Sequence, residues 1–263
     1  MDKLMNSIEK YREETKEKLK QLFKEAEEKD SEKFLRALLA IDTERYKKFK
    51  IKTISYTSDE EFQELCHLLN DFHEIAISDK VEKNTRTKMR LFLYCHILEA
   101  DLPYMITANI ARILAGEPYN SRIYLTTQKG KNKTCKYPWQ KIRYLSDLGK
   151  KVGVDLSSIW NRFFCRELRN AFSHSQYCLR NREGDVFLTP AVSPTTLPKK
   201  KLNKEFYTYE EVEDLYLAAY SFLEVFIEIT KQYMAKYKNG NYHSIGHDIG
   251  PVQFDLNRKR WGF

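Results

Sequence analysis

Cys165–Tyr177 reads CRELRNAFSHSQY and sets an arginine, Arg169, directly before an asparagine, Asn170, with a histidine, His174, five residues after the arginine. Each of these side chains has a part to play at a phosphodiester. A guanidinium offers a rigid planar charge to phosphate oxygens and to a developing phosphorane. An imidazole moves protons near neutral pH. A carboxamide hydrogen-bonds phosphate or orients the imidazole. RNA supplies its own nucleophile, the 2′-hydroxyl, so these three groups form a sufficient inventory for cutting it. Glycine-rich phosphate loops, Ser-His-Asp nucleophile signatures and dinucleotide fingerprints are absent from the sequence.

Helical geometry poses a problem for this pairing. At about 100° per residue, Trp160, Phe163, Phe164, Leu168, Ala171 and Phe172 make an apolar face, with Arg169 roughly opposite its centre. His174 then points about 140° away from Arg169, and in an unbroken helix the two cannot converge. The run after His174 has strand character, so the helix must end near residues 173–175, where the backbone can turn the imidazole back. A helix C-terminus also favours the imidazolium. In the bland reading Arg169 pairs with an acid such as Glu167 or Glu99, and His174 satisfies the last carbonyls of its helix.

The other candidates fall around this motif. Glu99 lies in HILEADLPY, within the most apolar helix, and needs Arg169 or Arg166 as partner unless it faces water. His96 reads as a core or interface residue. Lys129, Lys131, Lys133, Lys136, Lys141 and Arg143 occur between Thr126 and Arg143 without an acid. Lys199, Lys200, Lys201 and Lys204 form a second such run. With a formal net charge of +8, this local excess points to an anionic polymer, RNA, as partner. Tyr137 and Trp139 could stack on bases. A Pro-Trp pair at a helix start more often packs inward, and that is the reading preferred for Trp139. His243 and His247 in HSIGH have a metal-ligand spacing, yet Ser-Ile-Gly makes a poor helix, so neither a metal nor any other cofactor is expected.

The elements that must position these residues are mostly helical. Only nine glycines and seven prolines punctuate the chain, and 42% hydrophobic residues suffice for a core. Periodicity predicts helices over 3–29 and 31–47, over the stretch from about Asp59 (Ser58 and Glu61 forming a capping box), and over 84–115, kinked or divided by Pro103 and ended by Gly116. Further helices are predicted from Pro138 to Gly149 or Gly153, over 155–174, and from a Thr208 cap onward. Residues 176–189 read as a hairpin about a Glu-Gly turn, 120–137 as a basic loop and 189–205 as a second basic loop. The expected fold class is therefore all-α, a helical bundle of long antiparallel helices with a small inserted β-hairpin. Its expected organisation is an N-terminal helical extension (1–50), a helical domain (51–238, with the hairpin and basic loop at about 176–205) and a C-terminal tail (239–263).

The odd set of five cysteines, Cys66, Cys95, Cys135, Cys165 and Cys178, has no CxxC spacing, and the charged N-terminus is unlike a secretory leader. With no 18-residue apolar run, the reading is a cytoplasmic protein without a membrane span.

The stretch RNAFSH, with its long apolar helix before it and its long amphipathic helix after it, resembles the R-x4-6-H motif of HEPN domains, including the polar residue directly after the arginine. The resemblance implies a metal-independent endoribonuclease, a toxin or antiviral-defence effector. It also implies a homodimer with both motifs near the two-fold, and a partner such as an antitoxin or another defence subunit. The alternative is a non-catalytic HEPN-like module that binds RNA or protein in a defence or regulatory complex.

Overall fold

The computed structural model describes residues 2–39, 58–126, 132–180, 182–189, 204–237, 253–255 and 260–262. In chain order its helices are α1 (Asp2–Lys29), α2 (Ser31–Leu39), α3 (Ser58–Ile77), α4 (Lys83–Glu99), α5 (Asp101–Ala115), α6 (Pro138–Val152), α7 (Ser157–Asn161), α8 (Arg166–Ser173) and α9 (Tyr209–Lys236). The described chain is mostly helical with small antiparallel sheets.

The helix boundaries follow local chemistry. Gly116 (φ 70°) and Gly153 (φ 74°) end α5 and α6 in left-handed caps that only glycine adopts readily. Thr208 and Glu211 form a reciprocal capping box at the start of α9, with Glu211 N–H donating to Thr208 Oγ1 at 3.2 Å and Thr208 N–H to the Glu211 carboxylate at 2.9 Å. The apolar run expected to be kinked or divided by Pro103 is divided, at Ala100, whose extended backbone (φ −58°, ψ 116°) separates α4 from α5. Pro103 falls in the first turn of α5, where its missing N–H has no helical partner to lose.

α1 packs along α9, and both meet a core that runs without a break from Leu19, Leu22 and Phe23 to Phe222 and Phe226. In its described part, the segment expected as an N-terminal extension is thus integral to the core. Trp160 is its largest fully buried side chain, stacked on Tyr104 (5.2 Å) and against Phe222 (5.1 Å). Burial of each such side chain stabilises the fold by roughly 1.5–3 kcal/mol.

Not all of the long helices pack in the antiparallel arrangement expected. Arg12–Glu224 (2.7 Å), Lys16–Glu228 (3.0 Å) and Lys236–Glu27 (2.9 Å) advance together along both chains, so α1 and α9 run parallel. α4 also starts at the same end as α9, with Tyr209 donating to Asn84 (2.9 Å) and Arg90 to Glu213 (2.6 Å). A short connection reverses the chain between α3 and α4, where Arg90 Nε reaches back to the Ala76 carbonyl (2.8 Å), and α3 consequently runs antiparallel to α9 as well, with His73 against Tyr216 and Tyr220. α1 and α9 are separated by most of the sequence, and nothing in their connection dictates direction.

Among the described residues three small sheets accompany the helices. β1 (Tyr124–Thr126) pairs with β2 (Asn132–Thr134) inside the segment expected to be a loop. The expected hairpin is present as β3 (Tyr177–Arg180) and β4 (Asp185–Leu188), but β5 (Phe206–Thr208) adds a third strand, Val186 facing Tyr207. β6 (Gln253–Asp255) pairs with β7 (Arg260–Gly262) in the tail. A three-residue strand shows almost no alternation, which is why β1, β2, β5, β6 and β7 escape a periodicity reading. Among the described residues no helix is long and apolar enough to cross a membrane, and all five cysteines are free thiols.

Candidate functional site

The helix predicted over 155–174 is two helices, α7 and α8, and the break is what places the site. Phe163 N–H and Phe164 N–H both return to the Trp160 carbonyl (3.1 and 2.9 Å), and Cys165 is extended (φ −123°, ψ 105°). The Tyr94 hydroxyl of α4 enters this gap. It donates to the Phe163 carbonyl (2.9 Å) and accepts from Cys165 N–H (2.9 Å). With Tyr94 only 1% exposed, the phenol is a buried polar clamp that sets the direction in which α8 leaves.

α8 buries Leu168 and Ala171 and turns its other side to a pocket of about 290 Å³. Arg166, Arg169, Asn170 and His174 line one part of it, and Tyr137, Pro138 and Trp139 from the start of α6 line another. The 140° between Arg169 and His174 is therefore the width of the wall. Arg166 and Asn170 fall between them on the helical wheel, one turn apart and sharing a stripe that leads to His174.

The end of α8 is a Schellman turn. Gln176 N–H bonds the Ala171 carbonyl (2.7 Å) and Ser175 N–H the Phe172 carbonyl (3.1 Å), with Ser175 at φ 54°. Ser175 is the single non-glycine residue with positive φ among the described residues. The turn stops the helix at His174 and sends the chain into β3, where Thr189 N–H bonds the Gln176 carbonyl (2.9 Å). His174 is left exposed at the helix end.

Arg169 is held on three sides. Its Nε donates to Glu99 Oε1, which also forms an ion pair with Nη2, and Nη1 donates to Asn170 Oδ1 at 2.9 Å. The Arg169 side chain is 15% exposed and that of Glu99 37%. Glu99 is the last residue of α4, where a carboxylate faces the negative end of the helix dipole, and the guanidinium offsets that repulsion. Of the alternatives for Glu99, the Arg169 pair is the one formed.

The two thiols beside the site stay protonated. Burial pushes Cys95 up to about 12 although Arg169 acts against it. Burial also raises Cys165, in part countered by its contact with the Tyr207 hydroxyl (3.1 Å). Neither is a poised nucleophile.

Other sequence candidates are redistributed. Trp139 is half-buried on the pocket, with the Arg166 guanidinium 5.4 Å above its ring, rather than packed in the core. The reason is that α6 is anchored one turn later, by buried Lys141 on Asp101 and over the Tyr104 ring (5.0 Å), which leaves its first residues at the rim. Lys141 is therefore neutralised, not a phosphate ligand, as is Lys204, which pairs with Glu211. Lys133, Lys136 and Arg143 are exposed, Lys136 immediately before the pocket residue Tyr137. Lys129, Lys131, Lys199, Lys200, Lys201, His243 and His247 lie outside the described residues. His96 is an exposed residue stacked on Phe92 (6.2 Å), not a core one, because α4 turns that edge outward.

Arg166 is the lining residue that sequence reasoning passed over as more than a partner for Glu99. Its spacing of three and four residues before Arg169 and Asn170 was the available signal. No family model, no curated protein and no solved structure matches the chain.

Proposed function

We propose that the Arg169–His174 pocket is the active site of a HEPN-type endoribonuclease that cuts RNA by attack of the 2′-hydroxyl on the adjacent phosphorus. The observation that supports it is the left-handed turn at Ser175, which ends α8 so that His174 lines the same pocket as Arg169 and Asn170. In this reading the 2′-oxygen bonds to phosphorus as its proton passes to a base, and the P–O5′ bond breaks as the 5′-oxygen gains a proton. The products are a 2′,3′-cyclic phosphate and a 5′-hydroxyl. His174 carries one of the two protons, since among the described residues no carboxylate lines the pocket. Arg169, set by Glu99 and Asn170, directs its remaining N–H groups at the phosphorane.

One pocket holds one imidazole, so a second proton carrier would come from a second copy of the chain with its own His174 near the two-fold. The resemblance to HEPN proteins adds a toxin or antiviral-defence role, restrained by a partner protein. Lys133 and Lys136, with the lysines at 129, 131 and 199–201, are the phosphate-tracking charges of this reading.

The test is incubation of the purified protein and of His174→Ala with single-stranded and structured RNA in excess chelator. Cleavage by the wild type alone, with cyclic-phosphate ends, is the expected result. Equal cleavage by both proteins would remove His174 from the chemistry.

A second reading is a non-catalytic RNA- or protein-binding module, and one observation favours it. Glu99 Oε1 engages both Nε and Nη2 of Arg169, as in a structural ion pair. It predicts no cleavage by either protein under any of these conditions.

A further inference from the structure

The pocket holds aromatic rings and a cation that the proposed proton chemistry leaves unused. Tyr137 is 49% exposed at its rim, and Trp139 lies beside it at the start of α6. Arg166 is exposed, and among the described residues no carboxylate pairs with it, whereas Arg169 is compensated by Glu99. Instead its guanidinium rests over the indole of Trp139 at 5.4 Å. A cation on an aromatic face keeps its outward edge for hydrogen bonds while its position is held. Arg166 is therefore the better placed of the two arginines to meet a phosphate in the ground state.

The rings are kept at the rim by the backbone. Gln140 accepts from Lys136 N–H (2.8 Å) and Tyr137 N–H (3.2 Å), which fixes the approach to Pro138. A half-exposed tyrosine on a fixed backbone beside a cation is the pairing by which single-stranded nucleic acid is held: a ring for the base, a charge for the backbone. The volume of about 290 Å³ lies at the lower end for small-ligand sites. It has room for one nucleotide unit and not for a paired duplex, whose bases have both faces covered by stacking.

We infer that Tyr137, Trp139 and Arg166 form a nucleotide-recognition subsite that takes one unpaired nucleotide of an RNA strand, its base on Tyr137 and its phosphate on Arg166. The inference rests on the ribonuclease reading for the identity of the strand, and it makes single-stranded or looped RNA the substrate class. Arg166 and Tyr137 are specificity-determining residues, distinct from the proton carrier His174.

Binding separates this subsite from the cleavage reaction. A fluorescently labelled single-stranded RNA of about ten nucleotides is titrated with full-length His174→Ala protein. The same strand annealed to its complement, the same strand with abasic riboses, and adenosine monophosphate as competitor form the other arms. Single-stranded RNA should bind about tenfold or more tightly than either the duplex or the abasic strand. In the same background Tyr137→Leu should lose about tenfold in affinity while Tyr137→Phe keeps it, and Arg166→Gln should flatten the salt dependence by about one phosphate contact. Competition by adenosine monophosphate alone, without preference for the strand, would make the ligand a free nucleotide and overturn the strand assignment. Equal affinity for single strand, duplex and abasic strand, or a Tyr137→Leu protein that binds like its parent, would overturn the subsite. If wild type cleaves RNA while these variants bind unchanged, the subsite fails and the ribonuclease reading stands. If binding depends on Tyr137 while nothing is cleaved, the reverse holds.

Discussion

Removing the Tyr94 hydroxyl should loosen the whole site from a distance. The phenol sits at 1% exposure between two backbone groups of the α7–α8 connection, 2.9 Å from the Phe163 carbonyl and 2.9 Å from the Cys165 amide. Tyr94→Phe keeps the ring and its packing but withdraws one hydrogen-bond donor and one acceptor from a place water reaches poorly. Leaving a buried polar group unpaired costs about 1–3 kcal/mol. The carbonyl is the more deeply buried of the two, so the sum should lie at roughly 2–3 kcal/mol rather than at twice the upper limit. That is a shift of about 30-fold or more in the folded-to-unfolded ratio. The assay is equilibrium urea unfolding followed by far-ultraviolet circular dichroism, with wild type and Tyr94→Phe compared at pH 7.5. The slope of the transition should be unchanged and its midpoint lowered. Because Cys165 N–H begins α8, amide hydrogen exchange over residues 163–170 should quicken more than over α9. A loss of stability below about 0.5 kcal/mol would refute the reasoning, since the break between α7 and α8 would then be set by something other than this clamp.

Ser175→Gly should raise stability by about 0.5–1 kcal/mol by relieving the left-handed backbone at φ 54°, and Ser175→Val should lower it by more than 1 kcal/mol; paired thermal melts decide both. Gly149→Ala should destabilise by about 1–3 kcal/mol in urea unfolding, because a Cβ there would overlap the Val154 backbone carbonyl oxygen. Burial holds His73 below the usual histidine range, against the pull of Glu224 and Glu74, in a site where its Nδ1 meets the Tyr216 hydroxyl at 2.6 Å. A histidine whose folded value is depressed contributes stability that is complete above its unfolded value of about 6.5 and is lost as pH falls below it. Wild type should thus lose more stability than His73→Gln between pH 7.5 and 5.5, and equal losses would remove His73 as the cause.

Much of the architecture was legible because it is local. A capping threonine with a glutamate three residues on, a glycine after the last apolar position, or a proline in an apolar run acts on its own turn of chain, and α9, α5 and the α4–α5 division lie where those residues put them. The types and spacing of Arg169, Asn170 and His174 were legible for the same reason, since they are written in order. Direction and depth were not. Whether α1 runs parallel to α9 depends on Arg12–Glu224 and Lys16–Glu228, pairs of residues 212 positions apart. The side on which Trp139 lies was decided by Lys141 reaching Asp101, forty residues away. The break before Arg166 could not be read from residues 155–174, because the hydroxyl that stabilises it belongs to Tyr94 on another helix. By itself the sequence determined which groups are present and where helices start and stop, for those are matters of bonds within a turn or two. Only the tertiary structure decided which charges are already spent on partners and which remain open. Neutralisation of Arg169 by Glu99 and exposure of Arg166 arise from how α4, α6 and α8 pack, and packing is a contest among distant segments that no local pattern records.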